Sequence, residues 1–302
     1  MKRLKTIYGF CVLLFLASVG TLYSLSPLWA PTLTEDFVSG TNLPPSMDLR
    51  SSVQIPILMY HGITEDANKT GEYWITSSML EDDLRWLKEQ GYTTVSLDQL
   101  IAYTENSASL PAKPILLTFD DGYCNNLTLA LPILKKHEAK AVFSIIGAET
   151  LNEKHEAVNH SVNCHLTIDE LTQLSQTGLI EIQNHSYNLH VLSGPDGRKG
   201  ADRLPGESPE AYGLVLTEDL NRTQALVQDA TGTRPVAFTW PFGARPLDDS
   251  GNPFLKDMGF KVTLTSYQKM NTIERGNPES LFNLKRFLRT PDFLLEDHLN
   301  PS

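Results

Sequence analysis

Short apolar runs and amphipathic stretches take turns along most of this chain. Apolar runs of strand length recur as "IPILMY" (55–60), "TTVSL" (93–97), "PILLTF" (114–119), "AVFSII" (141–146), "GLIEIQ" (178–183), "PVAFTW" (235–240) and "FKVTLT" (260–265). Between them lie helical patterns. "SMLEDDLRWLKEQG" (78–91) places Leu80, Leu84 and Leu87 on one face, with Ser78 and Glu81 as a capping box and Gly91 as a stop. "TLALPILKKHE", the capped "TIDELTQLSQTG" and "EDLNRTQALVQDATG" continue the series. Strand alternating with helix predicts parallel strands joined by helices, in a barrel or a doubly wound sheet. Ligands bind at the carboxyl ends of the strands in both.

The first 52 residues break this pattern. Lys2, Arg3 and Lys5 precede an uncharged apolar stretch from Ile7 to Leu25, the n-region and h-region of an export signal. Its length approaches the roughly 20 residues that span a bilayer, so residues 1–30 read as a cleaved signal peptide or as a signal anchor facing outside. Residues 31–52, rich in Pro, Ser, Thr and Gly, read as a linker. Residues 53–302 carry no repeat and no second linker, which predicts one domain. The 25 Lys and Arg against 36 Asp and Glu give a formal net charge of -11, which argues against nucleic acid and against a polybasic grip on lipid. A monomer is expected.

The chemistry gathers where apolar runs end. Asp120 and Asp121 follow "PILLTF"; two adjacent carboxylates stay ionised only if a cation or strong hydrogen bonds compensate them, although Asp-Asp-Gly is also a common surface turn. "EIQNHSYNLH" puts His185 and His190 after another strand, and His, His and Asp suit a catalytic divalent ion. In "FTWPFGAR" (238–245), Pro241 and Gly243 fix a turn that can present backbone N–H groups to an oxyanion. Trp240 and Phe242 offer faces on which a sugar can stack, or simply pack.

"TFDDG", "NHSYNLH" and "WPFG", in this order, resemble the first three motifs of carbohydrate esterase family 4, the polysaccharide deacetylases or NodB-homology domains. The resemblance implies a distorted (β/α) barrel and metal-dependent hydrolysis of acetyl groups from a glycan. Carried over by position, Asp120 is the general base, Asp121, His185 and His190 hold the metal, and the Phe242 N–H helps bind the oxyanion. Zinc is the expected ion, with nickel, cobalt or manganese as alternatives. The implied partner is an acetylated, N-acetylglucosamine-containing polymer, peptidoglycan or exopolysaccharide. An O-acetyl esterase and an inactive glycan-binding module of the same fold are the competing readings.

Two departures from the family pattern bear on the site. Thr239 stands where the third motif usually begins with a base-orienting Arg; Arg245, Arg286 and Arg289 are the candidates to replace it. The His that protonates the leaving amine usually comes late in the chain, where only His298 stands. "PILMYHG" places His61 after the first strand instead, which resembles the circularly permuted poly-N-acetylglucosamine deacetylase branch and makes His61 the expected general acid. Cys124 and Cys164 can pair in an exported protein, and the Gly/Pro-rich loop 193–213 either shapes substrate access or is disordered.

Overall fold

The computed structural model describes residues 51–152 and 164–299. The signal segment and nearly all of the linker lie outside the described residues. Among those described, no helix is long and apolar enough to cross a membrane.

The chain opens with β1 (Ser52–Ile55), β2 (Ile57–Tyr60), β3 (Gly62–Thr64) and β4 (Trp74–Thr76), then α1 (Ser77–Glu89), β5 (Thr93–Thr94) and α2 (Leu97–Thr104). It continues through β6 (Pro114–Phe119), α3 (Leu131–Lys136), β7 (Ala141–Ile145), α4 (Gly147–Asn152), α5 (Ile168–Ser175), β8 (Ile180–Asn184) and α6 (Pro209–Thr231). It ends with β9 (Ala237–Thr239), α7 (Asn252–Asp257), β10 (Val262–Leu264), β11 (Asn271–Glu274), β12 (Phe287–Leu288) and α8 (Leu295–Leu299).

The main sheet runs β10-β9-β8-β7-β6-β2-β12, with every pair parallel and β5 beside β6. Leu284 forms a parallel bridge with Leu264, and Arg286 N–H donates to the Tyr267 carbonyl at 2.9 Å. Residues 284–288 therefore bond to the β10 side on one edge and, as β12, to β2 on the other. The hydrogen bonds run round the sheet, which is the distorted (β/α) barrel expected from the sequence. The first strand of the main sheet, β2, sits between β6 and the last strand, as the permuted order requires.

Period-two alternation divides the strands between two apolar layers. Leu58, Tyr60, Leu117, Phe119 and Phe143 pack outward with Leu80, Leu84 and Leu87 of α1 and with Leu131, Leu134, Leu171 and Leu174 of α3 and α5. Ile57, Leu116, Val142, Ala237 and Leu284 face the interior cluster. The same period carries Met59 and His61, Thr118 and Asp120, Ser144, Thr239 and Arg286 onto the inner face. The residues with chemistry thus share one face at the strands' carboxyl ends.

Local boundaries differ from the sequence reading for identifiable reasons. Pro56 has no N–H to donate, and the run 55–60 divides there into β1 and β2. The cap of α1 is Thr76, whose side chain accepts the Met79 N–H, while Glu81 binds Lys136 and His137; the Ser78–Glu81 box is not formed. The helix expected to begin near 218 starts at Pro209 behind the Ser208 cap, and Gly232 ends it in the left-handed region. Loop 193–208 is ordered around Arg198.

Candidate active site

Asp120 continues the β2–β6 ladder, its N–H donating to the Tyr60 carbonyl at 2.9 Å. Its carboxylate is buried and accepts two parallel hydrogen bonds from the Arg286 guanidinium, at 2.8 and 2.7 Å. Arg286 is itself 1% exposed. It also donates to Thr118 Oγ1 at 3.1 Å and to the Thr265 carbonyl at 2.8 Å, so four of its five N–H groups are engaged and the fork is fixed in place. Burial alone would raise the Asp120 carboxyl, but the charge and hydrogen bonds of Arg286 outweigh it and hold it below the usual carboxylate range.

This pairing ranks the three arginines. Arg245 bonds to Asp249 and to the Pro246 carbonyl. Arg289 forms a second buried fork on Asp83, at 2.8 and 2.9 Å, and Tyr60 Oη donates to the same carboxylate at 3.0 Å. Only Arg286 reaches Asp120. Thr239 instead bonds to Ser144 through its hydroxyl at 2.8 Å and lends its carbonyl to His185 Nδ1, also at 2.8 Å.

The next residue turns sharply away. Asp121 (φ 68) and Gly122 (φ 72) both occupy the left-handed region, so the neighbouring carboxylates diverge. Asp121 Oδ1 lies 3.4 Å from His185 Nε2 and 3.3 Å from His190 Nε2, buried and without a hydrogen-bond partner. A carbonyl only accepts, so the Thr239 contact places a proton on His185 Nδ1 and leaves Nε2 aimed at Asp121. One donor atom from each of Asp121, His185 and His190 falls within 4.8 Å of the others. Three converging lone-pair donors around an otherwise orphaned oxygen fit a divalent cation.

The histidines differ electrostatically. Burial works against protonation of His185, but Asp121 and Asp120 outweigh it and raise its pKa. His190 is pushed down to about 4 by burial and by the neighbouring charge of His185. The turn carrying His190 is held by α6, whose Asp219 accepts the Tyr187 and Asn188 N–H groups at 2.7 and 2.9 Å.

His61 stands on the same inner face. Burial pushes its pKa down, against the pull of Asp120 and Asp121, and its Nδ1 is buried with no partner. Asn126 Nδ2 donates to the His61 carbonyl at 3.0 Å, and Asn125 Oδ1 accepts the Ile63 N–H at 2.9 Å. These two asparagines, beside the Asp pair in "DDGYCNN", hold the His61 segment, a role that sequence reading missed.

All five of these side chains, with Arg286, line one cavity of about 620 Å³. Phe242 joins them at φ 58, its ring 4.3 Å from that of His190. Trp240 is a correction to the sequence reading. It borders the cavity but is 1% exposed and packs edge-on against Phe238 at 4.8 Å, so it offers almost no surface on which a sugar could stack. Cys124 and Cys164 form a disulfide with Cα atoms 5.4 Å apart. His298 stacks on Phe293 at 4.2 Å, in α8.

A family model described as polysaccharide deacetylase matches residues 107–263, just over half of the chain. YxkH of Bacillus subtilis, provisionally named a polysaccharide deacetylase, is 30% identical over 141 residues, 47% of this chain and 45% of that protein. The poly-β-1,6-N-acetyl-D-glucosamine N-deacetylase of Escherichia coli K12 is 24% identical over 204 residues, 62% of this chain and 30% of that protein. The chain thus spans less than half the length of these two relatives. The solved structure of a de-N-acetylase from Aggregatibacter actinomycetemcomitans superposes with a TM-score of 0.67 at 26% identity, covering 80% of this chain and 97% of that one. With the family model covering both the Asp pair and the His pair, the chain belongs to the polysaccharide deacetylase family.

Proposed function

We propose that residues 53–302 are the catalytic domain of a metal-dependent N-deacetylase acting outside the cell on an N-acetylglucosamine polymer, residues 1–30 serving as signal or anchor. The observation that carries this reading is the Arg286-held Asp120 carboxylate beside the Asp121, His185 and His190 cluster. A catalytically inactive binding module has no chemical need for both. The relatives named for poly-β-1,6-N-acetyl-D-glucosamine favour that exopolysaccharide over peptidoglycan.

Asp121, His185 and His190 would hold the ion, zinc suiting the donor set, and when bound it supplies a Lewis acid for water and the acetyl carbonyl. Asp120 accepts the proton of the attacking water. Arg286 keeps that carboxylate ionised and aimed, so the base needs no reorganisation as the reaction proceeds. The Phe242 N–H stabilises the negative charge that develops on the carbonyl oxygen. His61 gives a proton to the departing nitrogen; burial lowers its pKa against the pull of Asp120 and Asp121, which makes the imidazolium a stronger acid but requires that it be protonated before it acts.

Acetate release from β-1,6-linked N-acetylglucosamine oligomers, with metal-loaded against chelated protein, tests the reading. Metal-dependent release is expected, and His61→Ala should impair it more than hydrolysis of an activated acetyl ester, whose leaving group needs no proton. Release from an O-acetylated glycan but not from the N-acetyl oligomers would make the protein an esterase.

A further inference from the structure

With Trp240 buried, any sugar platform must come from another side chain. Among residues lining the cavity, Tyr73 is 45% exposed and Leu192 69%. Single exposed apolar side chains are ordinary on a protein surface, so exposure alone carries nothing. What separates these two is how they are held and what they flank.

Tyr73 stands edge-on to the His61 ring, with centroids 4.8 Å apart. Its carbonyl accepts the Gly62 N–H at 3.0 Å, and Gly71 and Trp74 exchange two hydrogen bonds of 2.9 and 3.1 Å around it. The Trp74 ring lies so close on Gly62 that a Cβ there would overlap it, and it packs against Tyr123 with centroids 4.9 Å apart. The ring of Tyr73 is thus open to solvent on a fixed backbone.

Leu192 comes from the loop after β8, three positions away along the sheet from β2, which precedes Tyr73. That loop is built around Arg198, which is 4% exposed. The guanidinium forks onto Glu207 at 2.6 and 3.0 Å and donates to the Asp202 carbonyl at 2.6 Å. Gly200 N–H returns to the Val191 carbonyl at 2.9 Å. A Cβ on Gly200 would sit 2.7 Å from the Pro241 carbonyl oxygen, so the loop lies directly on the turn that bears Phe242. Glu72, Lys199 and Gln268 supply polar groups to the same cavity. Fixed apolar faces with a few polar groups between them match a pyranose, which has a C–H face and a hydroxyl edge.

The geometry points to a glycan subsite formed by Tyr73 and Leu192, which holds a sugar of the polymer beside the reacting unit, with Tyr73 as the stacking platform. This rests on the deacetylase reading above. The subsite recognises a neutral pyranose, and its contribution is to substrate binding.

Calorimetric titration of a β-1,6-linked N-acetylglucosamine pentamer into wild-type, Tyr73→Ala and Tyr73→Trp proteins tests it, together with KM and kcat for acetate release. Tyr73→Ala should bind the pentamer about tenfold more weakly and raise KM by a similar factor, while Tyr73→Trp should stay within about twofold of wild type. Unchanged pentamer binding in Tyr73→Ala, equal weakening in both variants, or no binding by the wild type would overturn the subsite. Pentamer binding that needs Tyr73 but yields no acetate would uphold the subsite and refute the N-deacetylase reading instead.

Discussion

Arg286 holds Asp120 through two parallel hydrogen bonds of 2.8 and 2.7 Å across 166 positions of sequence, and both side chains are almost wholly buried. A lysine can match the charge but not the fork. Arg286→Lys should therefore lower kcat by about 10²-fold, the scale of a lost general base, with the metal still bound. Metal content and kcat measured on the same preparations check this. Wild-type turnover in Arg286→Lys would mean that the pair is structural only.

Trp240 should matter for stability and not for substrate binding. Trp240→Ala should cost about 3–5 kcal/mol, as expected for emptying a packed aromatic site. Urea unfolding measures the loss. The milder Trp240→Phe should leave the glycan KM unchanged; a raised KM without loss of stability would return the sugar platform to this residue.

The disulfide ties the Asp121 turn to the segment that precedes α5. Cys124 N–H also donates to the Cys164 carbonyl at 2.9 Å, and Leu166 N–H to the Gly122 carbonyl at 2.8 Å. Cys164→Ser should reduce stability by about 2–4 kcal/mol and let a chelator strip the metal at lower concentration. Should the chelator midpoint stay put while stability falls, the bond would serve the fold and not the ligand turn.

The loop behind Leu192 should weaken in acid. Hydrogen bonds from Arg198 hold the Glu207 carboxyl below its ordinary value. The unfolded chain then takes up that proton more readily than the folded one. The pair's stabilisation is thus present above the unfolded-state pKa of about 4.3 and is lost as pH falls through the folded value. Melting temperatures from pH 6 to pH 3 should fall less steeply for Glu207→Gln than for wild type. Identical slopes would remove this carboxyl from the acid response.

Much of this was legible in the sequence because the relevant signals are local. A parallel strand reads as an apolar run and its carboxyl end is where ligands gather, so Asp120 and His61, each directly after such a run, were expected at one end of the sheet. The His pair after β8 lies on one short loop. The short strands β3, β4, β11 and β12 were not legible, since no apolar run of strand length marks them.

The long-range partners were decided by the tertiary structure alone. Nothing in "LKRFLRT" distinguishes Arg286 from Arg289; the closure of β12 onto β2 sends one guanidinium to Asp120 and the other to Asp83. Trp240 looks like a sugar platform in "TWPFG", yet its ring turns into the core formed with α6 and α7. Tyr73 carries no motif at all, and it becomes notable only once Gly62 and Trp74 fix its backbone beside His61. Sequence specifies which groups are present and which face of an element they take, whereas the partner of each buried charge depends on strand order and register, which the chain settles only on folding.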